Sequence, residues 1–213
     1  MLQIKSFVFN PLQENTYVLY NTQKHAIIID PGCYFDEEKD TLVSFMDKMG
    51  LVPKMLLNTH CHLDHVFGNK FISEKYQLPL HIHRGEKIVL DMAPTAGLMY
   101  NLPFENHTGA IEYITENQKL LLDTDELMPL FTPGHSPASL SFYDAADGFV
   151  ISGDALFRQS IGRTDLPGGD YDTLIESIKN NLFTLPEDTL VYSGHGPQTS
   201  IGYEKRNNPF LMN

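Results

Sequence analysis

The 213-residue chain is 42% hydrophobic and 20% charged, which favours a compact globular fold and excludes disordered and fibrous architectures. A formal net charge of -12 argues against a nucleic-acid partner, because contact with a phosphate backbone calls for a basic face. The opening MLQIKSFVFNPLQENTYVLY has no basic-then-apolar leader pattern and no run approaches a membrane span in length, so no membrane partner and a cytoplasmic location are expected. Two cysteines, Cys33 and Cys61, are too few for a disulfide framework and are read as free thiols.

Alternating and apolar runs predict strands over residues 4–9, 16–20 and 26–29, the last ending at the turn Asp30-Pro31-Gly32. A helix is predicted over 36–49 with Asp36 as its cap. A short strand over 54–57 then delivers the chain to a histidine cluster, and 66–76 has the composition of the next helix. Residues 80–82 read as a strand. Pro94, Gly97 and Pro103 make 84–108 read as one short helix plus a long loop. Turn signals recur between strand-like runs over 111–151, helical periodicity returns over 171–182, and 189–192 makes a last strand. No internal repeat, low-complexity tract or linker interrupts this pattern, and one domain spanning 1–213 is expected.

The chemistry concentrates in THCHLDH, residues 59–65. In an extended segment alternate residues point the same way, so His60 and His62 can reach one ion together, and Asp64 and His65 can serve a second. Packing alone gives no reason to cluster imidazoles with a carboxylate. Further donors, His135, Asp154 and His195, stand in glycine-containing turns (TPGHS, SGD and SGHG) that follow strand-like runs, where small neighbours let the backbone bend a ligand inward. His81 and His83 repeat the HxH spacing without a following Asp-His and are read as structural. Cys61 lies between two donors, so alternation turns it away from them into packing. His25 and His107 belong to no motif and are read as surface residues.

THCHLDH, PGHSPASL, SGDALF and SGHGP, with IIIDPG upstream, resemble in order and spacing the five motifs of the metallo-β-lactamase superfamily. The resemblance implies an α/β (α+β) fold, a four-layer αββα sandwich of two packed sheets with helices on both outer faces. It also implies a first metal held by His60, His62 and His135, a second held by Asp64, His65 and His195, and Asp154 bridging both. Two divalent ions are therefore expected, zinc first, with iron or manganese as alternatives. Asp30 is read either as accepting a hydrogen bond from a ligand histidine, so fixing its tautomer, or as a simple turn cap.

Two such ions about 3.5–4 Å apart lower the pKa of a shared water to roughly 7, which points to hydrolysis of an acyl carbon, with Asp154 and Asp64 as the catalytic carboxylates. An aspartate at 154 speaks against the commonest zinc β-lactamases, which the family pattern gives a cysteine there. SIGRTDLPGGD, residues 160–170, is similar to the GRTD stretch of glyoxalase II-like thioesterases and of persulfide dioxygenases. Arg163 is then expected to meet a substrate carboxylate or to order the site rim, the bland reading being a turn closed by an Arg163–Asp165 ion pair. Only residues 196–213 follow His195, so the likeness is to the short glyoxalase II-like branch without a C-terminal helical glutathione-binding domain. A cover for a thiol carrier is expected from 91–108, with Tyr100 and Phe104. The leading expectation is a thioester or related thiol-linked small molecule hydrolysed at two metals. The alternative is an oxygenase with a single iron on His60, His135 and Asp154, and a lactonase, a β-lactamase or a non-enzymatic metal-binding module are minor options.

Overall fold

A computed structural model describes residues 1–116 and 118–212. One six-stranded sheet runs in spatial order through β1 (Gln3–Phe9), β2 (Glu14–Tyr20), β3 (His25–Ile29), β4 (Val52–Leu57), β5 (Leu80–His83) and β6 (Ile111–Ile114). β1 to β3 form an antiparallel meander, whereas β3 to β6 pair in parallel. Parallel neighbours need crossovers, and helices supply them: α1 (Asp36–Met49), α2 (Leu63–Val66), α3 (Asn69–Tyr76) and α4 (Lys87–Met99). The second sheet contains β7 (Leu120–Leu122), β8 (Asp125–Phe131), β9 (Leu140–Asp144), β10 (Phe149–Gly153), β13 (Leu190–Ser193) and β14 (Thr199–Ser200), in the order β14-β13-β10-β9-β8-β7. A small hairpin of β11 (Leu156–Phe157) and β12 (Ser160–Ile161) follows β10, and α5 (Tyr171–Ser177) and α6 (Ile201–Asn207) lie on either side of β13 in the chain.

The period of two in the central strands sorts side chains into layers. Val18, Ile28 and Leu56 pack with Leu42, Met46, Ile72 and Leu90 of the helices, while their neighbours Leu19, Ile27, Ile29 and Leu57 meet Leu140, Phe142, Phe149 and Ile151 of the other sheet. Val150 and Val191, on the far face of that sheet, pack against Leu174, Ile178 and Ile201. The result is the expected αββα order. It also explains the unbroken apolar run Ile27-Ile28-Ile29, since β3 is covered on both faces.

Several local expectations are corrected. Phe35, not Asp36, is the N-cap of α1, because the Glu38 carboxylate reaches back to the amides of Tyr34 (2.8 Å) and Phe35 (3.1 Å) and leaves Asp36 to pair with Lys39 at 2.9 Å. The single helix predicted over 66–76 is two helices, α2 and α3. The chain turns between them where the Gly68 amide leaves the helix to bond Pro31 O at 2.7 Å. Residues 87–99, read as mostly loop, form the 13-residue α4 with Pro94 inside it. Pro94 cannot donate to Leu90 O one turn back, and the Asn106 side chain donates to that carbonyl instead, at 2.7 Å. The segment after α4 therefore folds back on the helix. Phe104, expected over a substrate, packs instead on Phe67 with ring centroids 4.9 Å apart. His107, expected on the surface, is buried with its Nε2 3.1 Å from Ala110 O. Asn106→Ala is expected to cost about 1 kcal/mol by leaving the Leu90 carbonyl unpaired, read as a lower denaturant midpoint at constant m; an unchanged midpoint would deny it this role.

Candidate metal centre

Every donor turn follows the C-terminal end of a strand. Asp30 follows β3, residues 58–65 follow β4, His135 follows β8, Asp154 follows β10 and His195 follows β13. Both sheets thus deliver their donors to one end of the sandwich. His60 and His62 lie on extended chain, whereas Asp64 and His65 sit in the first turn of α2. Gly153, at φ +51°, turns Asp154 inward, and a Cβ there would lie 2.4 Å from Thr59 Oγ1. Gly194 is held by space: a Cβ would fall 2.1 Å from Asp154 Oδ1 and 2.7 Å from the His65 ring.

The structure brings the seven predicted donors together. His135 Nε2 lies 2.8 Å from His62 Nδ1 and 3.2 Å from His60 Nε2. His195 Nε2 is 3.1 Å from Asp64 Oδ2, and His65 Nε2 is 3.7 Å from the same oxygen. Asp154 stands between the two groups, with Oδ2 3.4 Å from His135 Nε2 and 3.6 Å from His195 Nε2, and Oδ1 3.4 Å from His65 Nε2. In each triad, His60, His62, His135 and Asp64, His65, His195, one ligand atom per residue lies within 4.8 Å of the others. Asp30, His60 and His65 satisfy the same distance, but the Asp30 carboxylate already accepts from Thr59 N (2.7 Å), Thr59 Oγ1 (2.6 Å) and Asn58 Nδ2 (3.2 Å) and faces His65 Nδ1 at 3.1 Å.

Acceptors on the far side of four rings set which nitrogen is bare. His65 Nδ1 faces Asp30, His135 Nδ1 faces Arg163 O at 2.8 Å, and His195 Nδ1 faces Gln13 O at 3.1 Å. Thr59 Oγ1 gives its proton to Asp30 and so accepts from His60 Nδ1 at 3.0 Å. Each Nδ1 therefore carries a proton, and each Nε2 points at the centre. Electrostatics divides the donors. Burial, reinforced by neighbouring imidazoles, holds His60 well below its ordinary pKa and His62 at about 3. Burial also opposes charge on His65 and His195, but Asp64 and Asp154 outweigh it and raise both. Burial likewise opposes charge on Asp154 and Asp64, and His65 overrides it, lowering both.

This arrangement fits divalent cations. With both Nδ1 atoms protonated, His60 Nε2 and His135 Nε2 turn lone pairs on each other at 3.2 Å and repel unless a cation lies between them, and the buried His65 Nε2 and Asp154 Oδ1 have no hydrogen-bond partner among the described residues. A donor set of nitrogens and carboxylates suits zinc, iron or manganese.

Two supports were invisible in the sequence. The buried Glu86 accepts from Cys61 N (2.9 Å), Ala138 N (2.8 Å) and Ser136 Oγ (2.7 and 2.8 Å), tying the His60–His62 segment to the His135 turn. Burial pushes its carboxyl pKa up. The β1–β2 turn and the start of β2 tie down the other triad. Asn10 Nδ2 donates to Asp64 O at 3.1 Å, Asn15 N donates to Gly194 O at 2.7 Å, and Asn15 Nδ2 donates to Ser193 O and Gly196 O, both at 2.9 Å. Lone Glu and Asn residues at strand and helix ends have no diagnostic spacing, and NPLQEN reads simply as a turn.

Other predicted positions lie as follows. Arg163 and Tyr100 both line a cavity of about 690 Å³ that opens on the donors. The Arg163 guanidinium bonds both oxygens of Asp165, at 2.7 and 2.8 Å, and is also touched by the Tyr100 hydroxyl. His81 bonds Leu56 O (3.1 Å) and pairs with Glu112 (3.2 Å), His83 accepts from Gly85 N (3.2 Å), and His25 pairs with Asp123 (2.7 Å). Cys61 packs in the core under the helices.

Residues 9–195 match the metallo-beta-lactamase superfamily, and the chain belongs to it. It is 40% identical over 202 residues to "Probable metallo-hydrolase YqgX" of Bacillus subtilis, covering 94% of this chain and 93% of that one. It is 34% identical over 212 residues to "Hydroxyacylglutathione hydrolase GloC" of Haemophilus influenzae, covering 99% and 98%. Two solved structures superpose closely. The BLEG-1 B3 metallo-beta-lactamase has a TM-score of 0.91 at 39% identity, covering 99% and 100%; TTHA1623 in a di-iron-bound form has 0.89 at 36%, covering 97% and 100%. The family makes the chain a metallo-hydrolase whose fold implies divalent metal ions.

Glu86→Ala leaves three buried donors without their acceptor and is expected to cost about 2–3 kcal/mol in denaturant unfolding of the metal-free protein. A loss below about 0.5 kcal/mol would contradict the account of Glu86 as the tie between the two donor turns.

Proposed function

We propose that the chain is a two-metal thioester hydrolase of the hydroxyacylglutathione hydrolase type, with zinc as the first expectation and iron or manganese as alternatives. The observation that carries this reading is Asp154 standing between two complete donor triads, within 3.4 Å of His135 in one and of His65 in the other. His60, His62 and His135 would hold one ion, Asp64, His65 and His195 the other, and Asp154 both. An oxygenase iron needs only His60, His135 and Asp154, which leaves His62, Asp64, His65 and His195 without a use. The thioester half of the reading is supported by the near full-length likeness to GloC.

Bound there, two divalent ions supply Lewis acidity to a substrate carbonyl and bring the pKa of water to roughly 7. The protein's own contribution is orientation. Asp30, Thr59, Gln13 and the Arg163 carbonyl hold the Nδ1 protons of His65, His60, His195 and His135, so that no ring must turn or change tautomer during turnover. A thiolate leaves as a stable anion, so the reaction needs no separate acid at the leaving group. Asp64, beside His195, is the carboxylate placed to move a proton. The Arg163 guanidinium is taken up by Asp165, which supports a role in ordering the rim together with Tyr100.

The discriminating experiment pairs thioester hydrolysis, S-lactoylglutathione included, with oxygen-uptake assays on glutathione persulfide and β-lactam hydrolysis. Thioester turnover without oxygen uptake is expected; oxygen uptake with one iron per chain, or β-lactam cleavage faster than any thioester, would overturn the reading. Asp154→Ala should lose both metals by elemental analysis, and retention of two per chain would refute the bridging role. Arg163→Ala should raise KM several-fold with both metals kept; an unchanged KM would leave Arg163 as nothing more than half of a surface ion pair.

A further inference from the structure

The helix that sequence patterning reads as short builds one wall of the cavity. α4 contributes Val89, Met92, Ala96 and Met99, and Leu12 and Phe157 line the same space. Positions 89, 92, 96 and 99 recur at helical spacing, so one apolar face of α4 looks into the cavity. Met92 is 49% and Met99 81% exposed, large apolar side chains that the fold itself leaves uncovered beside the donors. Charge points the same way. Apart from the donor imidazoles, Arg163 is the cation among the described lining residues, and both Asp165 oxygens engage it. Lys87, which opens α4, is likewise bonded to Asp91 at 2.6 Å. Away from the donors, an arm bearing carboxylates would meet no free cation among the described lining residues.

We infer that the substrate arm lying along α4 is uncharged and apolar, so that the enzyme selects its thioesters by the hydrophobic length of that arm and not by the charges of a peptide thiol. The inference rests on the thioester-hydrolysis half of the proposed function and replaces glutathione with an uncharged thiol carrier as the substrate class. Each methylene laid against α4 removes apolar area from water, which corresponds to a gain of about 2–4-fold in affinity.

The test uses thioethers, which are inert to hydrolysis. Calorimetric titration of the protein as purified with its metal, against N-acetyl-S-alkylcysteamines from methyl to hexyl, should show Kd falling about 2–4-fold per methylene. Met92→Asp should flatten that trend, and Met99→Asp, at the more exposed position, serves the same purpose should Met92→Asp fold poorly. S-methylglutathione should bind no more tightly than the S-methyl cysteamine. A Kd independent of chain length, or S-methylglutathione binding about tenfold tighter or more, would overturn the inference, since tenfold is about 1.4 kcal/mol of charge recognition. Failure of the underlying reading looks different: no thioester would be hydrolysed, while the thioether trend would still report an apolar arm.

Discussion

Four imidazole rings in this protein are held from behind. A carboxylate, a hydroxyl that has already spent its proton, and two backbone carbonyls each face an Nδ1 that must be protonated, and the Nε2 lone pairs of His60, His65, His135 and His195 are thereby aimed at one small volume together with Asp64 and Asp154. Such a convergence is unfavourable on its own, because lone pairs and buried carboxylates repel. In the chain alone, protons raised onto His65 and His195 by Asp64 and Asp154 offset part of the cost. The repulsion ceases when divalent cations replace those protons. Much of the surrounding structure is understandable as the means of holding this arrangement.

The two sheets share the work unequally. The first supplies Asp30 and the cluster 58–65 from adjacent parallel strands, and the second supplies His135, Asp154 and His195 from the ends of β8, β10 and β13. Joining the halves requires bonds that cross between them. Glu86, just ahead of α4, reaches the His135 turn, and Asn15, at the start of β2, reaches the His195 turn. The same α4 whose preceding residue fixes one triad also presents Met92 and Met99 to the cavity, so donor geometry and the cavity wall are set by one piece of backbone.

The donors were legible in the sequence because a metal site needs particular side chains in clusters, and no packing argument produces THCHLDH by accident. The central strands were legible for a similar reason, as layers buried on both faces leave runs such as Ile27-Ile28-Ile29. What stayed hidden depended on partners distant in the chain. Pro94 looks like a helix breaker until Asn106 supplies the missing donor, and Phe104 looks like part of a cover over a substrate until it meets Phe67. Glu86 and Asn15 carry no spacing rule at all; their roles exist only once the sheets have brought residues 61, 136 and 194 beside them. Arg163 was noticed for its guanidinium, yet its backbone carbonyl is the atom that faces His135.

The central claim is that both triads are metal sites sharing Asp154. Anomalous diffraction from crystals of the metal-loaded protein, recorded on either side of the metal's absorption edge, tests it most directly. The account predicts two peaks per chain, one among His60, His62 and His135 and one among Asp64, His65 and His195, with Asp154 in contact with both. A single peak at full loading, or a peak coordinated by Asp30, would contradict it.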